Sequence, residues 1–179
     1  ITYLDVETTF VVDENRRTDP SPFNAHNKLV SVQYSHDNGP IQFNWFYHKD
    51  MDEMASELTV GEAFNLVQDV LDNTTVLIGH NIKFDLMWLW ESGFNYDGQV
   101  YDTMIGEYTL LRGQKWGLSL ADSCIRRKVA MKKSDLTHDY LKDGIGFDAM
   151  PMDTVQEYGI ADIESTKQLH LAQEEIFKN

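Results

Sequence analysis

The sequence of 179 residues has a single cysteine and no long hydrophobic run. One cysteine, Cys124, cannot form an internal disulfide framework or a cysteine-rich zinc site. No apolar stretch reaches the ~20 residues that a membrane-spanning helix needs, and the N-terminus shows no signal peptide. We therefore expect a cytoplasmic protein that is located in a reducing compartment and does not bind a membrane.

Positive charge is also scarce, since 15 lysine and arginine residues oppose 29 aspartate and glutamate residues. The formal net charge of −14 argues against a protein that coats duplex DNA through a broad basic surface. Three explanations stay open: a protein that holds a few phosphates through metal ions, a salty environment, or a basic partner.

Composition and the order of elements predict one α/β domain that spans residues 1–179. Hydrophobic residues make up 42% and charged residues 25% of the chain, as in ordinary globular proteins. The predicted strands are residues 1–10, 29–34, 41–47 and 75–78, and the predicted helices are residues 60–71, 85–91, 102–111, 118–127 and 153–177. Residues 13–28 are predicted to form a loop, and residues 132–150 have no assignment. This order indicates a central mixed sheet, antiparallel in its first three strands and flanked by helices.

Two carboxylates share one face of the first strand. Side chains alternate along a strand, so Leu4 and Val6 face a core while Asp5 and Glu7 project together on the other side. Like charges on one strand face repel each other, and fold stability gives no reason to place them there. A divalent metal ion would resolve the repulsion.

Two further carboxylates stand out, each with two explanations. Asp85 follows a buried strand and Gly79 and falls in the first turn of a helix, where it is either a ligand or merely a favourable helix-start residue. Asp162 interrupts the apolar stripe of the last helix, which consists of Val155, Tyr158, Ile163, Leu169, Ile176 and Phe177. Tyr158 lies one turn before Asp162 on the same face. Asp162 either binds metal or accepts a hydrogen bond from a core tyrosine or the backbone.

Together the three segments follow the order Asp-x-Glu, Asn-x-x-x-Asp and Tyr-x-x-x-Asp. This order resembles the DEDD superfamily of 3′–5′ exonucleases, in the subclass with a tyrosine in the third motif. In the histidine subclass a histidine stands at the position of Glu157. The likeness is greatest to the proofreading domain of family A DNA polymerases, the DNA polymerase I type, because residues 100–111, 118–124 and 168–171 also resemble that family. The resemblance implies a ribonuclease H-like fold.

The resemblance also implies roles for individual side chains. The implied catalytic residues are Asp5, Glu7, Asp85, Tyr158 and Asp162, of which Asp5, Glu7 and Asp162 match the ligands of one metal ion and Asp5 and Asp85 those of a second. Tyr158 matches the residue that orients the attacking water. Thr8 and Asn81 match positions that hold the terminal nucleotide or the motif loops. Phe84 either supports the site by packing or belongs to the core.

Oxygen ligands suit Mg²⁺ or Mn²⁺, so the implied cofactors are two divalent ions of this kind. Phosphodiester hydrolysis needs a nucleophile and a neutralised leaving oxygen, which two ions about 4 Å apart supply. With a reference pKa of about 10, a tyrosine is a weak base at neutral pH, so we assign Tyr158 to water positioning.

The implied activity is metal-dependent 3′–5′ exonuclease hydrolysis of single-stranded or frayed DNA ends, with release of nucleoside 5′-monophosphates and a role in proofreading. The alternatives are RNA 3′ trimming of the ribonuclease D type and a non-catalytic nucleic-acid-binding domain of a polymerase. The expected partners are a DNA 3′ end and a polymerase domain in the same or another chain. We expect a monomer from a bacterial or virus-infected cell, either an excised proofreading domain or a free-standing exonuclease.

Basic residues offer weaker candidates for substrate contact. Arg112, Lys115 and Trp116 form a basic and aromatic cluster that either holds the upstream strand or is a solvated helix end. Residues 126–128 and 132–133 are expected to be a solvated basic face.

Overall fold

The computed structural model describes residues 1–15, 17–51, 53–129 and 135–178, with side chains in the first helix described from Thr59 onward. Within these residues, five strands form one mixed sheet: β1 (Thr2–Thr8), β4 (Leu29–His36), β5 (Gln42–Trp45), β6 (Val76–Gly79) and β7 (Gln99–Asp102). Their order across the sheet is β5-β4-β1-β6-β7. β1, β4 and β5 pair antiparallel, and β1, β6 and β7 pair parallel. The predicted antiparallel arrangement of the first three sheet strands is confirmed.

Helices cover both faces of the sheet. They are α1 (Glu53–Asp72), α2 (Ile82–Glu91), α3 (Thr103–Leu110), α4 (Leu120–Arg127), α5 (Asp135–Lys142) and α6 (Met152–Phe177). The main core lies between the sheet and helices α1 and α2, whereas α6 packs on the opposite face against β1 and β4, with α3, α4 and α5 against it. The predicted α/β sandwich is therefore confirmed. Among the described residues, no helix is both long enough and apolar enough to cross a bilayer.

Several elements of the structure were not predicted from the sequence, for identifiable reasons. Strand β7 was not predicted, because its four residues show no clear alternation of apolar and polar side chains. It is defined by its pairing with β6. The predicted loop 13–28 contains β3 (Thr18–Asp19), which pairs with β2 (Val11–Val12) in a small hairpin. Residues 135–142, which had no assignment, form α5.

The last helix ends at Phe177 as predicted but differs from its prediction at the start and in the length of its buried stripe. Its predicted start, with Asp153 as the cap, is wrong: the N-cap is Pro151, the helix begins at Met152, and Asp153 lies inside the first turn. Val155, Ile163 and Leu169 are fully buried as the apolar stripe predicts. Ile176 and Phe177, assigned to the same stripe, are exposed. Periodicity therefore identified the buried face correctly but not the point at which burial stops.

A buried ion network joins α3, α4 and α6. Glu107 is fully buried and accepts hydrogen bonds from Arg126 at 2.7 Å, Arg127 at 2.6 Å and Gln173 at 3.1 Å. Burial alone would raise the pKa of Glu107, but the hydrogen bonds from Arg127, Gln173 and Arg126 outweigh it and hold the pKa below its ordinary value. The expectation of a solvated face at residues 126–128 is therefore wrong for the two arginines, and residues 132–133 lie outside the described residues.

We predict that Glu107→Ala lowers the free energy of unfolding by about 3 kcal/mol, because removing one member of a buried ion network leaves the remaining charges without compensation. Urea denaturation followed by circular dichroism measures the change. The control is Glu91→Ala, an exposed position on α2 where we expect a change within about 0.5 kcal/mol. Equal stabilities for the two variants would contradict the structural importance of the network.

Candidate active site

Strand β1 places alternate side chains in two different environments. Leu4 and Val6 belong to the main core on the side of α1 and α2. Tyr3 points the other way and packs with Ile78 and Ile163 under α6. Asp5 and Glu7 continue the face of Tyr3 toward the end of the strand. The alternation predicted from the sequence is therefore observed, and both carboxylates face α6.

Helix α6 brings a third carboxylate to this face. Asp5, Glu7 and Asp162 each offer one oxygen, and these oxygens lie within 4.8 Å of one another. Glu7 and Asp162 are buried, and Asp5 is half-buried. Three carboxylates at this separation repel one another strongly in a buried setting unless a cation compensates for their charge. The donor set, made of carboxylate oxygens alone, fits Mg²⁺ or Mn²⁺.

Asp85 lies outside this group of three but close to it. The pairing of β1 with β6 reaches only Tyr3, because β6 ends at Gly79. Beyond that point Val6 donates its backbone N–H to Oδ1 of Asp85 at 3.0 Å. Burial and then the charge of Asp5 raise the pKa of Asp85 well above its ordinary value. Asp85 thus accepts a hydrogen bond from Val6 at a point where β6 no longer supplies a pairing residue, and its carboxylate interacts electrostatically with Asp5.

Gly79 makes this exit from the sheet possible. A Cβ at this position would meet the side chain of Ile82 and would lie 3.1 Å from the carbonyl oxygen of Leu4. The chain then turns through Asn81, which has a left-handed backbone with φ of 62°, and α2 begins at Ile82. This tight turn places Asp85 in the first turn of α2, where the helix dipole favours a carboxylate.

Tyr158 sits one helical turn before Asp162 on α6. It is buried, and its ring centroid lies 5.6 Å from that of Phe147 in the loop before the helix. The structure therefore brings together on one side of the sheet the tyrosine and the aspartate that the sequence pattern paired.

The three predicted substrate-binding residues have different surroundings. Thr8 is buried at the end of β1, where the pairing register with β4 shifts. Asn81 is exposed, and its backbone N–H donates to Asp102 at 2.9 Å. Phe84 is half-buried and packs against the main core, which favours the second of its two interpretations. Contact of Thr8 and Asn81 with a nucleotide stays a prediction.

The basic and aromatic cluster at the end of α3 is solvent-facing. Arg112, Lys115 and Trp116 are all exposed, and Arg126 lies 5.6 Å from the ring centroid of Trp116. Both interpretations of this cluster therefore stay open.

Sequence inspection missed Gln33 on β4. It stands directly opposite Asp5 in the antiparallel pairing and is fully buried. Its Nε2 donates to Oδ2 of Asp5 at 2.7 Å and to Oε1 of Glu7 at 3.4 Å. A polar residue within a predicted strand is ordinary in a sequence, and only the register of β1 against β4 shows that this one meets both carboxylates.

Solved structures with the same fold include several nucleases. A nuclease in its apo form is 20% identical over 97% of this chain and 71% of that chain, with a TM-score of 0.63. NrnC of Brucella melitensis bound to pGG is 21% identical over 99% of this chain and 72% of that chain, with a TM-score of 0.62. A family B DNA polymerase from the hyperthermophilic archaeon Pyrobaculum calidifontis is 16% identical over 98% of this chain and 24% of that chain, with a TM-score of 0.58. At these identities the likeness shows the fold.

The family itself is shown by sequence. No curated protein sequence gives a significant match. In contrast, the family model of the DNA polymerase A type that is described as 3′–5′ exonuclease matches residues 18–175. The match includes Asp85, Tyr158 and Asp162 and begins after Asp5 and Glu7. Because it extends over most of the chain, this protein belongs to the 3′–5′ exonuclease family and is a 3′–5′ exonuclease.

Proposed function

We propose that this chain removes nucleotides from single-stranded or frayed 3′ ends of DNA and releases nucleoside 5′-monophosphates by metal-dependent hydrolysis. The observation that carries this proposal is the convergence of Asp5, Glu7 and Asp162 within 4.8 Å, with Tyr158 one turn from Asp162. A proofreading role beside a polymerase domain, in the same chain or another, is the biological setting that we propose.

The carboxylates would hold two divalent ions. Asp5, Glu7 and Asp162 would bind the first, and Asp5 together with Asp85 the second. When bound, such ions lower the pKa of a water nucleophile and neutralise charge on the leaving 3′ oxygen. Asp5 is suited to both ion sites, because it belongs to the group of three and its charge also acts on Asp85.

Tyr158 is the residue that we assign to the attacking water. The tyrosine hydroxyl orients the water by a hydrogen bond, and contact with Phe147 restricts the ring. Because the ring is largely buried, its hydroxyl has few positions available, and this reduces the entropy lost when the water is aligned.

We propose that a cavity next to the end of β1 holds the substrate backbone. It has a volume of about 230 Å³, and its lining includes Thr9, two residues after Glu7, and Asp148, the neighbour of Phe147. Lys28 and Lys49 also line it. Lys28 Nζ lies 3.9 Å from the ring centroid of Tyr47, and Lys49 Nζ lies 3.3 Å from Asp148.

In a chain with a net charge of −14, two lysines in one cavity are a local source of attraction for phosphates. We propose that Lys28 and Lys49 contact the backbone upstream of the scissile phosphodiester. This arrangement would hold a strand without the broad basic surface that the composition lacks.

The alternative substrate is a short oligonucleotide or an RNA 3′ end. The similarity to NrnC, solved with bound pGG, favours this second candidate. The family match of the DNA polymerase A type favours DNA. An assay that compares single-stranded DNA, 3′-recessed duplex DNA, RNA and dinucleotides, each with Mg²⁺, Mn²⁺ or EDTA, decides between them. Absence of metal-dependent trimming on every substrate would refute the proposal.

For the site, we predict that Asp5→Ala lowers kcat by at least about 10³-fold, because it removes a ligand shared by both ions and so several kcal/mol of transition-state stabilisation. Tyr158→Phe should lower kcat by about 10- to 100-fold, since it removes one water-orienting hydrogen bond. The controls are Asp69→Ala and Tyr108→Phe at exposed positions. Full activity of the Asp5 variant would contradict the ligand assignment.

For the cavity, we predict that Lys28→Ala combined with Lys49→Ala raises KM for single-stranded DNA about tenfold with little change in kcat. Each lost phosphate contact should also reduce, by about 0.7, the slope of the logarithm of the DNA-binding constant against the logarithm of the salt concentration. The control is Lys178→Ala, an exposed lysine at the end of α6. An unchanged KM and salt slope in the double variant would show that the DNA strand does not bind in this cavity.

For the metal-free protein, we predict that Asp85→Asn is stabilising. The amide oxygen still accepts from Val6, and the buried charge next to Asp5 disappears. Because the folded-state pKa of Asp85 is raised, the wild type loses stability as the pH rises through that pKa, and below the unfolded value of 3.8 the effect vanishes.

Calorimetry in EDTA should therefore show a higher melting temperature for Asp85→Asn than for the wild type at pH 8, with a difference that shrinks as the pH falls. The exposed Asp97→Asn is the matched control. A lower melting temperature for Asp85→Asn at pH 8 would contradict the electrostatic account.

A further inference from the structure

Gln33 carries an amide into the space between the two carboxylates of β1. Its Nε2 has two N–H groups, and Asp5 and Glu7 are its two acceptors, at 2.7 and 3.4 Å. Gln33 has no solvent exposure, so water does not reach its amide. A neutral donor reduces the repulsion between the carboxylates without cancelling the negative charge that a cation requires.

The other end of the amide is also fixed. Oε1 of Gln33 accepts a hydrogen bond from the hydroxyl of Ser31 at 3.1 Å. Ser31 is fully buried and stands opposite Glu7 in the pairing of β1 with β4. The reversed amide would direct its oxygen at two carboxylates, so the surroundings select the orientation with nitrogen toward Asp5 and Glu7.

Helix α6 leaves room for this amide at one residue. A Cβ on Gly159 would lie 2.9 Å from both Cδ and Nε2 of Gln33 and 2.9 Å from Cε2 of Phe43. Gly159 lies inside the helix and is next to Tyr158. Glycine is a poor helix former, and its backbone here is not left-handed, so the close approach to Gln33 is the physical reason for glycine at this position.

We propose that Gln33 is a positioning residue that holds the Asp5 and Glu7 carboxylates ready for a divalent ion, and that Gly159 provides the space for its amide. The expected effect of Gln33 on activity rests on the proposed function, whereas its effect on metal binding can be measured without any substrate. Hydrogen bonds behind metal ligands fix ligand orientation, and their loss commonly weakens metal affinity 10- to 100-fold.

The test is titration of the substrate-free protein with Mn²⁺, followed by electron paramagnetic resonance of the free ion. Gln33→Met keeps the length of the side chain but has no donor, and we expect Mn²⁺ affinity to fall at least about tenfold. Gly159→Ala should lower the affinity in the same direction, because its methyl group displaces the amide. Gly61→Ala is the matched control, since nothing lies within 4 Å of a Cβ at this helical glycine.

Kinetics provide the second measurement. Gln33→Met should raise the Mg²⁺ concentration for half-maximal activity, lower kcat at limiting Mg²⁺ and recover part of that loss at saturating Mg²⁺, with KM for DNA unchanged. A purely structural role would lower the melting temperature and leave the Mn²⁺ affinity of the folded protein unchanged.

Mn²⁺ affinity equal to wild type in both folded variants, or no Mn²⁺ binding by the wild type, would overturn the proposal. If Gln33→Met does not fold, Gly159→Ala decides the same question. Altered Mn²⁺ affinity in a chain that trims none of the tested polymers would support the positioning role and refute only the proposed function.

Discussion

Repulsion among the carboxylates of Asp5, Glu7 and Asp162 is the constraint around which the rest of the structure is arranged. Their oxygens lie within 4.8 Å of one another on the face of β1 that α6 covers. Such a group is unfavourable for folding by itself, because each buried charge loses its hydration and gains like-charged neighbours. A protein keeps such a group where surrounding elements hold the backbone firmly and a bound cation or a shared proton offsets the charge.

The surrounding elements meet this requirement at several points. On one side, Asp85 occupies the place that a β6 residue would take beside Val6. On the other side, Gln33 donates to two of the three carboxylates. Farther along α6, the buried Glu107 network ties that helix to α3 and α4 through Gln173. The helix that carries Tyr158 and Asp162 is therefore anchored at a distance from the site as well as within it.

Much of the fold and most of the candidate site could be predicted from the sequence, and the failures have physical causes. The alternation of Leu4, Asp5, Val6 and Glu7 is a local property of a strand, and the structure shows it. Strand β7 was missed because an edge strand of four residues depends on its neighbour for its identity. Arg126 and Arg127 were misjudged because a charge run looks the same whether it faces water or a buried glutamate.

The sequence by itself determined the types and local spacing of the acidic residues, the tyrosine one turn from Asp162, and the family to which the chain belongs. These properties follow from periodicity and motif order, which are local. Only the tertiary structure decided that Gln33 lies opposite Asp5, that Gly159 admits its amide, and that Asp85 meets Val6. Each of these contacts joins residues that are distant along the chain, so it depends on strand register or helix position. A local sequence pattern contains no information about which distant residues meet.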